Sequence, residues 1–391
     1  MFRTLTASTE YIDDLDAAVA DIKAQLDCER NLLAHSVGIV ACHYEFALSG
    51  ALEAICKALP FDTVGTITSA HGTAKGAGVL LLTVMVLTSD DVSFKTALSQ
   101  SLKTESAKAI EAVYTQNAGA ERPGLMLAYA PFMVTNSGDE YVNVLGRVSG
   151  GVPCFGTLAV DDTPDFHNCF MIHNGEYYQD RMSLLLMYGN IKPRFFLATI
   201  SAGKVLDHPA LITSSEGHLL KEVNGRPIAD YFEKMGLTKA SETAYAMTSL
   251  PFMLDYGDGT PLVSKVFIGL NENRHAICAG AMPEGSTLHL AVFDKDDVLL
   301  TTGNSIREAL AQAEHETKFH DASGLLIYSC ISRSMTLGND QFAEIDLVTK
   351  EIGGRFPFML AYSGGEICPT RVNSDGAINR FHNNTFILCV F

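Results

Sequence analysis

Positive charge is scarce in this sequence. Lys and Arg number 28 against 45 Asp and Glu, which gives a formal net charge of −17. Such a chain repels nucleic-acid phosphates and anionic bilayers, so neither is expected as a partner, and small molecules and other proteins remain. Long apolar runs are missing as well. The longest largely apolar block, Val79 to Leu87, is too short to span a bilayer. The opening segment MFRTLTASTE holds no apolar run, so neither a signal peptide nor an anchor is expected there. The 9 cysteines form no Cys-x-x-Cys and no Cys/His comb, which argues against a structural zinc site. Without an export signal they imply free thiols in a reducing compartment, and a cytoplasmic location is expected. No serine has glycine two residues before and two after it, so the hydrolase nucleophile elbow is absent. There is no Walker loop. Gly76-Ala77-Gly78 precedes a strand pattern and lacks the third glycine of a dinucleotide loop.

What the chain does have is core material and internal repetition. Hydrophobic residues make up 47% of 391 residues, enough for more than one compact core. Asp90-Asp91-Val92 recurs as Asp296-Asp297-Val298, and Gly124-Leu125-Met126-Leu127 as Gly324-Leu325-Leu326-Ile327. Gly150-Gly151-Val152-Pro153-Cys154-Phe155 recurs as Gly353-Gly354-Arg355-Phe356-Pro357-Phe358, and Phe166-His167-Asn168 as Phe381-His382-Asn383. The order is collinear, so the reading is a pseudo-duplication into two related domains.

Periodicity supplies the elements. Ile12, Leu15, Val19, Ile22 and Leu26 fall on one face and predict a helix over residues 10 to 27. Strands are expected at Val37–Cys42, Val64–Ser69 and Val79–Thr88, and helices at Glu45–Leu59 and Ser93–Val113. In the second half, strands are expected at Val263–Leu270, Ala276–Ala281, Thr287–Phe293, Leu325–Cys330, Phe342–Val348, Phe358–Tyr362 and Thr385–Val390. Ser305-Ile306-Arg307-Glu308 is a capping box and predicts a helix from Ile306 to Thr317. Continuous βαβ alternation is absent. The class expected is therefore α+β, with two related domains of mixed or antiparallel sheets flanked by helices. The boundaries expected are an N-terminal helical segment at 1–29 and domains at 30–210 and 211–391.

The candidate site residues lie at strand ends in the second half. Arg333 follows one strand, Gly365 and Glu366 follow another, and His382 and Asn383 open the last. Arginine would fork onto a ligand carboxylate, and glutamate would take an amine. The alternative is a structural Arg333–Glu366 pair beside a His-Asn turn cap. A cysteine-dependent acyl transferase using Cys330 and His382 is the rival from another class. No activated nucleophile pair is visible at motif level, so no enzyme is expected.

These motifs resemble the FIST family of sensory domains. The resemblance is carried by Cys330-Ile331-Ser332-Arg333, by Gly365-Glu366-Ile367 after the Gly353–Phe358 segment, and by Phe381-His382-Asn383-Asn384-Thr385. Its N- and C-terminal regions would cover about residues 30 to 385. Where relatives resemble Gly-Cys-Ser-Thr-Ala-Gly-Glu, this chain departs with Gly65-Thr66-Ile67-Thr68-Ser69-Ala70-His71. The resemblance implies a sensor that binds a small molecule such as an amino acid and signals to a kinase, cyclase or ubiquitin ligase. The stand-alone architecture resembles the NosP group of bacterial nitric-oxide sensors. That implies haem b, a histidine axial ligand and a partner histidine kinase, with a homodimer left open. No Cys-x-x-Cys-His is present for covalent haem attachment. His173 is the expected iron ligand, because it ends a strand and is unmatched in the other half; His167 and His382 are the alternatives.

Overall fold

The chain lays down one strand set three times. The computed structural model describes residues 1–133, 136–163, 166–236, 251–315 and 323–391. In the first copy, strands Phe2–Thr9, His35–Cys42, Thr63–Ile67 and Leu82–Ser89 lie in the spatial order first, fourth, second, third. The second copy repeats that order with Val92–Leu98, Leu125–Pro131, Cys154–Ala159 and Ser183–Gly189. The third repeats it with Arg194–Ala198, Leu325–Cys330, Phe358–Ser363 and Phe386–Val390. In each copy the second and third strands run parallel and the other neighbours antiparallel. Parallel strands need a long crossover. Helices provide it: Ala51–Ala58, Gly138–Ser149 and Ala343–Ile352 in the three copies.

No copy completes its own sheet. After its third strand each chain segment leaves and adds a hairpin to another copy. His71–Thr73 with Gly76–Gly78 pairs onto Phe358–Ser363 of the third copy. Met171–His173 with Glu176–Tyr178 pairs onto Thr63–Ile67 of the first. Glu366–Asn373 with Gly376–His382 pairs onto Cys154–Ala159 of the second. The result is three six-stranded sheets joined in a ring.

The three sheets enclose a common core. Ile39, Met85, Leu127, Leu185, Leu326 and Ile387, two from each copy, pack in one cluster and are fully buried. Helices cover the outer faces. Ile22 and Ile55 pack on the first sheet, Ile110 and Leu145 on the second, Ile306 and Ile345 on the third. Sheets buried on both faces explain why Leu82–Ser89 reads as a run and not as an alternation. Each such aliphatic side chain contributes about 1.5–3 kcal/mol on burial. The third copy also carries an insertion between Arg194–Ala198 and helix Lys295–His315. It forms a separate eight-stranded antiparallel sheet with helix Ile228–Lys234 and its own core, in which Phe232, Phe252 and Phe267 are in mutual ring contact.

The α+β class with mixed and antiparallel sheets flanked by helices is the one the protein has. The duplication proves to be part of a triplication. Gly124-Leu125 and Gly324-Leu325 do open equivalent strands, and Gly150 and Gly353 cap equivalent helices. Phe166 and Phe381 are not equivalent: one precedes a donated hairpin, and the other ends one. Asp90 and Asp296 also differ, the first lying in a turn and the second in the first turn of a helix.

Several elements differ from the sequence reading, and the single helix expected at Glu45–Leu59 is two, Tyr44–Leu48 and Ala51–Ala58. Phe2–Thr9 is a strand, and the helix that follows is Leu15–Leu26. Val92–Leu98 is a strand, because Val92, Phe94, Thr96 and Leu98 repeat every second residue; the helix starts only at Ser106. Residues 343–352 form a helix, since Ile345, Val348 and Ile352 share its buried face and Gly353 closes it in the left-handed region. The helix expected from Ile306 begins at Lys295, and its expected end at Thr317 lies outside the described residues.

Gly365 sits where the third copy crosses into the second. Its φ is 130°, and a Cβ there would stand 2.3 Å from the Phe381 ring. Gly365→Ala is expected to cost about 2–4 kcal/mol in urea unfolding. Gly203→Ala, with nothing within 4 Å, is expected to change stability by less than about 0.5 kcal/mol. Equal midpoints for the two variants would show that the crossing tolerates a side chain.

Candidate functional site

The three crossings meet and bond to one another. Tyr362 N–H donates to Ala70 O at 3.0 Å, and Thr68 Oγ1 donates to Tyr362 O at 2.8 Å. Leu158 N–H donates to Gly365 O at 3.0 Å, and Gly364 N–H to Leu158 O at 2.9 Å. Ile67 N–H donates to Phe170 O at 2.9 Å, and Val160 N–H to Ile67 O at 3.3 Å. Each crossing is thus tied to the next around the ring.

The first residues of the donated hairpins stand at equivalent registers. His71 opposes Ala361, Met171 opposes Thr66, and Glu366 opposes Thr157. Directly opposed residues share a sheet face. Ala361 and Met171 belong to the central core, as does Phe155 two residues from Thr157. His71 and Glu366 therefore face inward, one polar group from each of two crossings.

Both are fully buried and incompletely partnered. Among the described residues, neither ring nitrogen of His71 has a hydrogen-bond partner, and neither do Ser69 Oγ, Glu366 Oε2 or His382 Nδ1. Buried polar atoms in folded proteins are nearly always paired, so such a concentration marks a place built to hold something polar. Burial above all, with the neighbouring His43, lowers His71 to a pKa of about 3. Burial, then the charge of Lys265, takes His382 to about 3 as well. Both rings are neutral at physiological pH.

Glu366 is the acid of the group. Ser363 Oγ donates to its Oε1 at 2.5 Å. Burial raises its pKa well above the usual carboxyl value, outweighing the opposite pull of Ser363, Cys330, Arg333 and the Thr385 N–H. The Cys330 thiol and the Thr385 N–H approach it too loosely to satisfy Oε2. Cys330 is itself pushed up to about 12 by burial and by the Glu366 charge. A thiol so far above neutrality is a poor nucleophile. Its supposed partner His382 aims Nε2 at Cys368 O, 3.3 Å away.

Arg333 is a clasp. It is fully buried, and its Nε donates to Glu344 Oε1 at 2.9 Å. Its other nitrogens reach Val298 O at 2.9 Å, Thr302 Oγ1 at 2.7 Å and Asn384 O at 3.4 Å. The expected choice between a ligand fork and a pair with Glu366 resolves to neither, because Glu344 is the acid that takes it. Glu344 appeared in the sequence as part of an apparent strand, which hid its role. Gly365 serves backbone geometry, and Asn383 accepts from Val266 N–H at 3.3 Å, tying the insertion to the last hairpin.

Sequence reasoning also missed a second buried pair. Lys265 Nζ donates to both Asp139 oxygens at 2.8 Å and to Phe381 O at 2.8 Å, joining the insertion to the second copy. Burial pulls the ammonium down, and the Asp139 carboxylate more than offsets it, so the pKa stands above the ordinary lysine value. A lone Lys in a strand and a lone Asp opening a helix carry no joint signal along the chain.

The expected iron ligands have polar or open surroundings. His173 Nδ1 shares a hydrogen with Ser183 Oγ at 2.9 Å. Burial lowers its pKa, against the nearby Asp62 and Glu176. His167 is exposed, and His382 is enclosed near Lys265 and Arg380. A haem iron ligand requires an apolar slot for the porphyrin face, and these surroundings do not fit one.

The protonation states have a measurable consequence. The unfolded pKa of Glu366 is about 4.3, and the folded one is higher. Unfolding above pH 4.3 therefore releases a proton, so stability is lost as pH rises toward the folded value, by up to about 1.4 kcal/mol per pH unit. Glu366→Gln is expected to flatten that slope at a cost below about 1 kcal/mol at pH 5. Glu344→Gln, which strips Arg333 of its partner, is expected to cost about 3–5 kcal/mol. Denaturant unfolding between pH 5 and 8 checks both; a Glu366→Gln slope equal to that of the parent protein would refute the protonated assignment.

Comparison with known families places the chain. The FIST N domain model matches residues 36–226, and the FIST C domain model matches residues 228–369. No curated protein matches the sequence. Among solved structures, a cyanuric acid hydrolase from A. caulinodans aligns over 100% of this chain and 99% of that one, with TM-score 0.37 and 10% identity. Similarity at that level supports no functional argument.

Proposed function

The chain belongs to the FIST family, whose members are small-ligand sensory domains in signalling, and from that membership we propose that it senses a small polar metabolite of the amino-acid class at the strand crossings. The observation that carries the reading is the cluster of buried, unpartnered polar atoms on Ser69, His71, Glu366 and His382. Neutral imidazoles and a protonated carboxyl offer both donors and acceptors to a ligand. An incoming ammonium would ionise Glu366, and an incoming carboxylate would favour a protonated His71. A zwitterion would thus move a proton from one to the other with no net charge buried. Because the crossings tie all three copies together, a ligand there biases the whole ring, and a ligand acts as a switch only through such a bias. The output is a protein partner, a histidine kinase or another signalling enzyme. We assign no catalysis, since Cys330 lacks activation.

Haem with nitric oxide is the finer alternative. The polar surroundings of His173 and His382 favour the metabolite reading over it.

Thermal unfolding against the twenty proteinogenic L-amino acids provides the test. One chemical class is expected to raise the midpoint by several degrees at millimolar ligand, an effect that scales with ligand concentration over Kd. The shift should fall in Glu366→Gln and should not grow from pH 6 to pH 8, because the proton that Glu366 yields passes to His71 and none is released. No shift with any amino acid, together with a saturable Soret band lost in His173→Ala, would replace the metabolite by haem.

A further inference from the structure

A cleft of about 660 Å³ opens between helix Leu15–Leu26, the end of strand Phe2–Thr9 and the tip of hairpin His71–Gly78. It shares no lining residue with the crossing site described above. Lys75 Nζ donates to Gln25 Oε1 at 2.7 Å, and Gln25 Nε2 donates to Asp21 Oδ1 at 2.8 Å. An ammonium and a carboxylate thus flank a single amide, and among the described residues neither has an oppositely charged side chain as partner.

The hairpin tip adds a backbone feature. Gly76–Gly78 is the last strand of its sheet. Thr73 opposes Gly76 across the two-residue turn, and Ala77 opposes Gly72. Antiparallel pairing alternates hydrogen-bonded and open positions. Thr73 and Gly76 close the turn, so the N–H and C=O of Ala77 point out from the free edge, and Ala77 lines the cleft. Tyr11, 52% exposed, and Leu81 supply apolar surface in the same cleft.

We propose that this cleft binds a short peptide of two or three residues with free termini. Lys75 takes the terminal carboxylate, Asp21 takes the terminal ammonium, and the peptide backbone pairs with Ala77 as an added strand. A single amino acid satisfies the two charges but has no amide to pair with the free edge, and it leaves most of the volume unfilled. The hairpin that carries Lys75 at its tip carries His71 at its base, so a peptide here holds the segment that reaches the crossings.

Calorimetry on the full chain with tri-alanine tests the site, with N-acetyl-tri-alanine, tri-alanine amide and free alanine as comparators. Saturable binding of tri-alanine is expected, with each capped form and alanine at least tenfold weaker. Lys75→Gln should abolish the preference for the free carboxylate and keep that for the free amine; Asp21→Asn should do the reverse. Circular dichroism confirms that each variant is folded; Lys75 is exposed and Asp21 half-buried. Absence of saturable tri-alanine binding at 10 mM would overturn the proposal. So would equal binding of the capped forms, equal binding of alanine, or retention of both preferences in both variants.

Discussion

Everything in this protein hangs on the exchange of hairpins among three copies of one strand set. Each exchange places two strands of one copy at the far side of another copy's sheet, and the crossings are bonded to one another through backbone groups of Ile67, Ala70, Leu158, Tyr362 and Gly365. Backbone groups that leave one sheet must find partners before entering the next. Here they find them in the neighbouring crossing, so none of the three junctions is satisfied without the others. The common core of Ile39, Leu127 and Leu326 is then a result of the ring and not its cause.

The junctions are not chemically alike. Two bring a titratable side chain inward, His71 and Glu366, and the third brings Met171. The same end of the molecule holds two buried ion pairs, Arg333–Glu344 and Lys265–Asp139, both well hydrogen-bonded. Buried pairs contribute little net stability but are costly to break, and they fix relative positions. The contrast separates roles: satisfied charges anchor the insertion and the helices, while unsatisfied neutral groups remain where three segments converge. An active enzyme centre of the Cys-His kind would need the opposite, an accessible thiol of low pKa.

Much of this was legible in the sequence, in pieces. The central strands His35–Cys42, Leu325–Cys330 and Phe358–Ser363 announce themselves as apolar runs, and the family motif points to Glu366 and His382. The triplication was hidden by the insertion, which lengthens the third copy until its spacing mimics a half-chain repeat. The first copy also lacks the glycine cap that Gly150 and Gly353 give the other two, its crossover helix ending instead at Leu59 before Pro60. The partner of Arg333 was hidden because Phe342–Val348 fits a strand pattern over a short window, and only Ile352 and Gly353 beyond it reveal the helix. Hairpin exchange itself leaves no trace in local sequence, since pairing with a distant strand uses the same alternation as pairing with a near one.

The ring also sets a timetable for synthesis. Domains fold as the chain emerges, earliest segments first. The first sheet can close once Tyr178 has left the ribosome, because its donated strands come from the middle of the chain. The second must wait for His382, and its strand Cys154–Ala159 meanwhile presents a bare edge. The hairpin His71–Gly78 is made early but has no sheet to join until Phe358–Ser363 appears nearly three hundred residues later. The nascent chain therefore carries two unmet strand edges for most of translation, and it is in that interval that the protein is most exposed to chaperones and to its own neighbours on the same message.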